Sequence, residues 1–101
     1  MTHVANEAIK LNEEGYLLDA EQWSEELANE MAGELEITLT NKHLEVLHFL
    51  RAKHHEGVPL SIRKVSKSGI VDIKGFYQLF PGGPLKVSSR IAGIPKPASC
   101  V

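Results

Sequence analysis

The chain has 101 residues, 43% of them hydrophobic and 24% charged, with a formal net charge of −2. Those values fit one globular domain with a modest core and exclude a chain-wide basic field for nucleic acid. No stretch approaches the roughly 20 apolar residues of a membrane span, Met1 to Lys10 lacks an apolar h-region, and the single cysteine has no partner for an internal disulfide, so a reduced, cytoplasmic setting is the expectation.

Met1 to Asn6 is polar. Ala8 to Leu11 and Tyr16 to Leu18 flank Asn12-Glu13-Glu14-Gly15, which predicts a small β-hairpin with Gly15 supplying positive φ. Asp19 is the expected N-cap of a first helix, with Gln22 at the capping-box position. Trp23, Leu27 and Met31, with Ala20 and Ala28, fall on one helical face, and Gly33 is the expected stop. Glu21, Glu25, Glu26 and Glu30 form its wet face.

Thr40 is the expected cap of a second helix, with Leu39 and Leu44 placed for a hydrophobic staple. Leu44, Val46, Leu47, Phe49 and Leu50 make a face too wide for one stripe, which predicts the central, most buried helix. Gly57 then Pro59 close it. His43 and His48 lie five apart and so cannot share a face as an i, i+4 metal pair would. No metal site is expected. His48 is placed at the core edge, and His54 and His55 at the surface.

Ser61 caps a short helix from Ile62 to Lys67 that carries Arg63, Lys64 and Lys67. Asp72 caps the next, with Ile73, Phe76, Tyr77, Leu79 and Phe80 as its apolar set. Pro81-Gly82-Gly83-Pro84 is a strong break, and Pro84 suits the first turn of a last helix that runs to about Ala92. Leu85, Val87 and Ile91 are its candidate buried positions. The expected fold is therefore mainly α: a small orthogonal bundle of about five helices, an N-terminal β-hairpin, and a flexible C-terminal arm. The expected division is a helical body over 1–93 and an arm over 94–101.

Pro95 and Pro97 forbid a helix in that arm and favour polyproline II. At ~3.1 Å per residue, seven steps from Gly93 to Cys100 span roughly 20 Å. A thiol at such a reach suits a group that visits other proteins' active sites, and a chain terminus with a chance cysteine has the same composition. Sulfur chemistry requires the thiolate, which the cations Arg90 and Lys96 would favour. With no second cysteine, a partner must complete the chemistry. Arg63, Lys64, Lys67, Lys86 and Arg90 either form one basic patch at the arm's root, facing an acidic protein surface, sulfur oxyanions or RNA phosphate, or are ordinary solvated cations.

Phe76-Tyr77-Gln78-Leu79-Phe80-Pro81-Gly82-Gly83-Pro84, then Arg90-Ile91-Ala92-Gly93-Ile94-Pro95-Lys96-Pro97 and penultimate Cys100, resemble the DsrC/TusE family. Glu14-Gly15-Tyr16-Leu17, Trp23-Ser24, the Leu39 to Phe49 segment and Ile62-Arg63 extend the likeness over nearly the whole chain. That resemblance implies an orthogonal helical bundle with a hairpin and a mobile arm. It implies Cys100 as the reactive residue, accepting sulfur as a persulfide and passing it on without a cofactor. DsrC proper has a second arm cysteine eleven residues earlier, where this chain has Ser89, and carries an insertion between the counterparts of Arg63 and Phe76. Both departures favour a single-cysteine, TusE-like relay, which would serve tRNA 2-thiouridine synthesis, or a DsrC-related paralogue. A related paralogue in sulfur oxidation, or a regulatory, non-catalytic module, would look similar. The implied partners are an upstream sulfur-donor complex and a downstream acceptor, either a thiouridylase or an enzyme of the sulfur-oxidation or sulfite-reductase type, with tRNA entering only within a complex. Arg90, Lys96, Arg63 and Lys86 are the candidate partner- or anion-binding residues.

Overall fold

The computed structural model describes residues 10–95, apart from the side chain of Ala20. Among them are five helices: α1 (Glu25–Glu34), α2 (Asn41–His55), α3 (Ile62–Lys67), α4 (Ile73–Leu79) and α5 (Pro84–Ile91). The helical bundle expected from the apolar spacing is present, with almost no strand. Ala8, Ile9 and most of the expected arm lie outside the described residues.

Among the described residues the expected hairpin is a tight turn closed by one antiparallel bridge, Leu11 with Leu17. Gly15 has φ +89°, as the turn requires. The Asn12 side chain supports the turn: its Oδ1 accepts from the Glu14 and Tyr16 amides, each at 2.9 Å. Tyr16 and Leu17 are buried and fasten this turn to the helices.

The first helix starts later than the apolar spacing predicts. Asp19 caps a 3-10 turn over Ala20–Gln22, accepting from the Glu21 amide at 2.9 Å. The cap of α1 is Ser24, whose Oγ accepts from the Leu27 amide at 3.1 Å. Trp23 therefore lies in the connection before α1 and is free to point elsewhere. Gly33 does not stop the helix. The left-handed residue after it is Glu36, φ +60°. Its amide bonds Gly33 O, and that of Ile37 bonds Ala32 O, the pair of bonds that closes a helix with a left-handed residue.

Thr40 caps α2 as expected, and its capping-box partner is His43. The Thr40 amide donates to His43 Nδ1 at 3.1 Å, so the ring proton is on Nε2, which donates to the Leu79 carbonyl at 2.9 Å. The ring stands edge-on to Phe80, centroids 5.1 Å apart. One buried histidine thus joins the start of α2 to the end of α4. His48, placed at the core edge from its spacing, has a 54% exposed side chain and pairs with Glu25 at 2.8 Å. His54 and His55 are exposed. Among the described residues no three His, Cys, Asp or Glu side chains are grouped to hold a metal ion.

The innermost helix is α5, where α2 was expected. Pro84, Leu85, Ser88, Ser89 and Ile91 of its eight residues are buried, and it packs against α1, α2 and α4. Val87 is only partly buried. On α2, Leu44 and Phe49 are also only partly buried, so its wide apolar face is not all core. Ser61 and Asp72 cap α3 and α4 as read from the sequence. Ile73 and Tyr77 of α4 instead face solvent, at 49% and 46% exposure, while Phe76 and Phe80 are fully buried. With seven residues, α4 has one buried stripe and cannot bury a wider apolar set.

Candidate functional site: the root of the arm

The last turn of α5 is fastened from three directions. Gly93, φ +71°, follows the C-cap Ala92. Its amide donates to Arg90 O and that of Ile94 to Ser89 O, both at 3.2 Å, which closes the helix with a glycine in the left-handed conformation. Trp23 Nε1 donates to the Ile91 carbonyl at 2.8 Å. Arg51, on α2, donates from Nη1 to the Ala92 carbonyl at 2.9 Å. Its guanidinium lies over the Trp23 ring, 4.5 Å from the centroid. Burial lowers the Arg51 pKa, and Glu21 pulls it back upward. The terminal carbonyls of α5 that a helix leaves unpaired are thus taken by side chains from two other elements.

Gly93 also has no room for a side chain. A Cβ there would stand 2.5 Å from Trp23 Cδ1 and 3.0 Å from Leu17 Cδ2. Ile94 is 1% exposed and belongs to the core, so packing continues one residue past Gly93, to Ile94; Pro95 is exposed.

Ser89 is fully buried on α5, and its Oγ has no hydrogen-bond partner. Its neighbour Ser88 donates to Leu85 O at 3.3 Å. A desolvated, unpaired hydroxyl in a helix interior is costly, and alanine is the better helix former. Ser89→Ala should raise stability by about 1 kcal/mol, seen as a higher thermal midpoint. An unchanged or lower midpoint would mean the hydroxyl is paired in solution.

Of the sequence-derived site residues, Cys100 and Lys96 lie outside the described residues. Lys86 and Arg90 are brought together, one turn apart on α5, at the edge of a cavity of about 230 Å³ shared with Tyr16 and Glu14. Tyr16 Oη donates to the Lys86 carbonyl at 3.3 Å, and the Arg90 guanidinium lies where a side chain on Gly15 would have to stand. The other expected members of the basic patch are elsewhere. Lys64 and Lys67 line a separate depression with Lys53, and Arg63 is exposed on α3, which packs on α4. Of the two expectations for these cations, one patch or ordinary solvated side chains, no single depression gathers all five: Lys86 and Arg90 line one, and Lys64 and Lys67 another.

Trp23 and Arg51 were not identified as site residues by their spacing. A signal existed for Arg51, which stands four residues after the buried Leu47 and so shares its helix face. For Trp23 no pattern exists, since it lies between two caps.

A small body of crossing helices, its final helix pinned at the last turn, is followed in the sequence by a proline-rich segment and the only cysteine of the chain. The chain belongs to the DsrC-like family, whose description, DsrC like protein, matches residues 3–101. It is 42% identical over 103 residues to Sulfurtransferase TusE of Buchnera aphidicola, covering 94% of this chain and 90% of that protein. It is 37% identical over 109 residues to Sulfurtransferase TusE of Pectobacterium atrosepticum, covering all of both. Among solved structures, Allochromatium vinosum DsrC superimposes with a TM-score of 0.84 at 34% identity, over 98% of this chain and 96% of that one. The oxidized gamma-subunit of dissimilatory sulfite reductase from Archaeoglobus fulgidus gives 0.84 at 34% identity, over 99% and 98%.

Proposed function

We propose that this protein is a sulfur-relay carrier whose working atom is the Cys100 sulfur. The observation that carries this is full-length similarity to sulfurtransferases named TusE in a chain that has one cysteine. In the proposed step the Cys100 thiolate attacks the terminal sulfur of a donor persulfide. The donor's S–S bond breaks, a new S–S bond forms on Cys100, and the donor leaves as a thiol, with no net oxidation. The acceptor then takes the terminal sulfur by the reverse exchange. Lys96 and Arg90 are the cations nearest in sequence that favour the thiolate.

A tRNA thiouridylase is the preferred acceptor. The likeness to DsrC structures favours a second reading, service to an enzyme of sulfur oxidation or sulfite reduction. Ser89 stands against that cycle, because a hydroxyl cannot form the in-chain disulfide. No helix among the described residues is long and apolar enough to cross a membrane, which suits a carrier working in the cytoplasm.

Incubation with a persulfide donor should add ~32 Da, one sulfur atom, to Cys100 in the intact-mass spectrum. Cys100→Ser should take up none. Equal uptake by that variant would sink the assignment. Restoration of 2-thiouridine by this chain in a strain lacking its own relay protein separates the two acceptors, and no restoration would favour the second.

A further inference from the structure

We propose that the outer face of α2, beside α3, is a docking groove for an acidic, amphipathic segment of a partner protein, separate from the arm. The charge of this chain is strongly partitioned. After residue 45 come nine of the eleven Lys and Arg but two of the thirteen Asp and Glu. Part of that excess surrounds a depression of about 270 Å³. Phe49 and Val58 supply its apolar surface, and Lys53, Lys64 and Lys67 surround them. Lys64 and Lys67 are exposed. Lys53 Nζ lies 5.7 Å from the Phe49 ring centroid and 3.5 Å from Glu56.

Phe49 also faces a second, wider opening of about 710 Å³, bounded by Leu44, His48 and Ile70. One aromatic side chain therefore links two depressions along the same helix. Together they form an apolar strip with three cations at one end. Leu44, Phe49 and Ile70 remain only partly buried although each packs against the core. An isolated exposed apolar residue means little, whereas a strip with charge gathered at one end has the make-up of a recognition groove.

The chemistry selects the occupant. Leucine or phenylalanine side chains of a bound segment would cover Phe49, and its carboxylates would meet Lys64 and Lys67, which favours fast, oriented encounter. Nucleic acid fits less well. Three lysines neutralise few phosphates, the groove surface is apolar, and the six residues of α3 are short for a helix that reads a groove. Glu56 pairs with Lys53 and Glu45 borders the wider opening, so the carboxylates of the segment are directed to the exposed Lys64 and Lys67. The proposal does not depend on Cys100, so its success or failure is separate from that of the relay.

The test uses the full-length 15N-labelled chain with Cys100→Ser, titrated with three probes. They are a synthetic glutamate-rich peptide carrying leucine and phenylalanine at helical spacing, the same peptide with lysine for glutamate, and a short RNA duplex. The acidic peptide should shift the amides of Phe49, Lys53, Val58, Lys64 and Lys67. Its affinity should fall at least ~10-fold in Lys64→Glu/Lys67→Glu, whose sites are exposed and leave the fold intact. It should also weaken several-fold between about 50 and about 300 mM salt. The lysine peptide and the RNA should leave those amides unshifted. Shifts centred on Lys86 and Arg90, binding unaffected by the double reversal, or an equal response to RNA would each overturn the proposal.

Discussion

Gly93→Ala should destabilise the protein by about 3 kcal/mol, the sum of two separate penalties. The first is conformational: with φ at +71°, an L side chain costs ~1–2 kcal/mol. The second is crowding, because the new Cβ would meet Trp23 Cδ1 at 2.5 Å and Leu17 Cδ2 at 3.0 Å. Overpacking of that kind costs ~1–3 kcal/mol. Gly57 separates the two. Its φ is +76°, but nothing lies within 4 Å of a Cβ built there. Gly57→Ala should therefore lose only about 1 kcal/mol. In thermal melts the Gly93 variant should fall by ~10 °C or more and the Gly57 variant by roughly half that or less. Equal melting points would show that Trp23 yields at no cost and that the turn is not held as described. The effect also bears on function. A displaced Trp23 gives up the Ile91 carbonyl and the face on which Arg51 rests, so the last turn of α5 would loosen with the fold.

His43→Ala should cost a similar amount, about 3 kcal/mol. Three contacts go together. The Thr40 amide loses its acceptor, the Leu79 carbonyl loses its donor, and the Phe80 ring loses its edge-on neighbour. His43 is 6% exposed, so water does not freely replace the ring. His43→Gln distinguishes local from tertiary effects. Glutamine at this position restores the capping box with Thr40 but is not placed to span to Leu79. It should recover about half of the loss, as read from urea unfolding midpoints. Full recovery would mean that the bond from α2 to α4 contributes nothing.

Why each residue was or was not legible beforehand has a common physical basis. Thr40, Ser61, Asp72 and Pro84 were readable because capping is a contact within four residues of one chain segment. Asp19 misled for the same reason: Asp19 and Ser24 both satisfy the local rule, and only packing decides which one opens the helix. The apolar stripes on α1 and α5 identified Leu27, Met31, Leu85 and Ile91 as core. The stripes on α2 and α4 were wider than the surface available to cover them. Ile73 and Tyr77 face solvent as a result, and Phe49 is only partly covered.

The grouping of the cations stayed open in the sequence because charge carries no period. Arg63, Lys64, Lys67, Lys86 and Arg90 look alike in sequence, and only the packed structure puts Lys64 and Lys67 on one depression and Lys86 and Arg90 on another. Trp23 and Arg51 bond to carbonyls 68 and 41 residues away. No local pattern encodes partners at such separations.

By itself, the sequence determined the helical class, most helix ends and a lone thiol beyond a proline-rich segment, since these follow from short-range sterics and composition. Only the tertiary structure decided that α5 lies innermost, that Gly93 is hemmed in by Trp23 and Leu17, and that Lys64 and Lys67 share one depression while Lys86 and Arg90 share another. Those outcomes depend on which surfaces meet across the chain, and the competition for burial among distant segments is settled only when all of them pack at once.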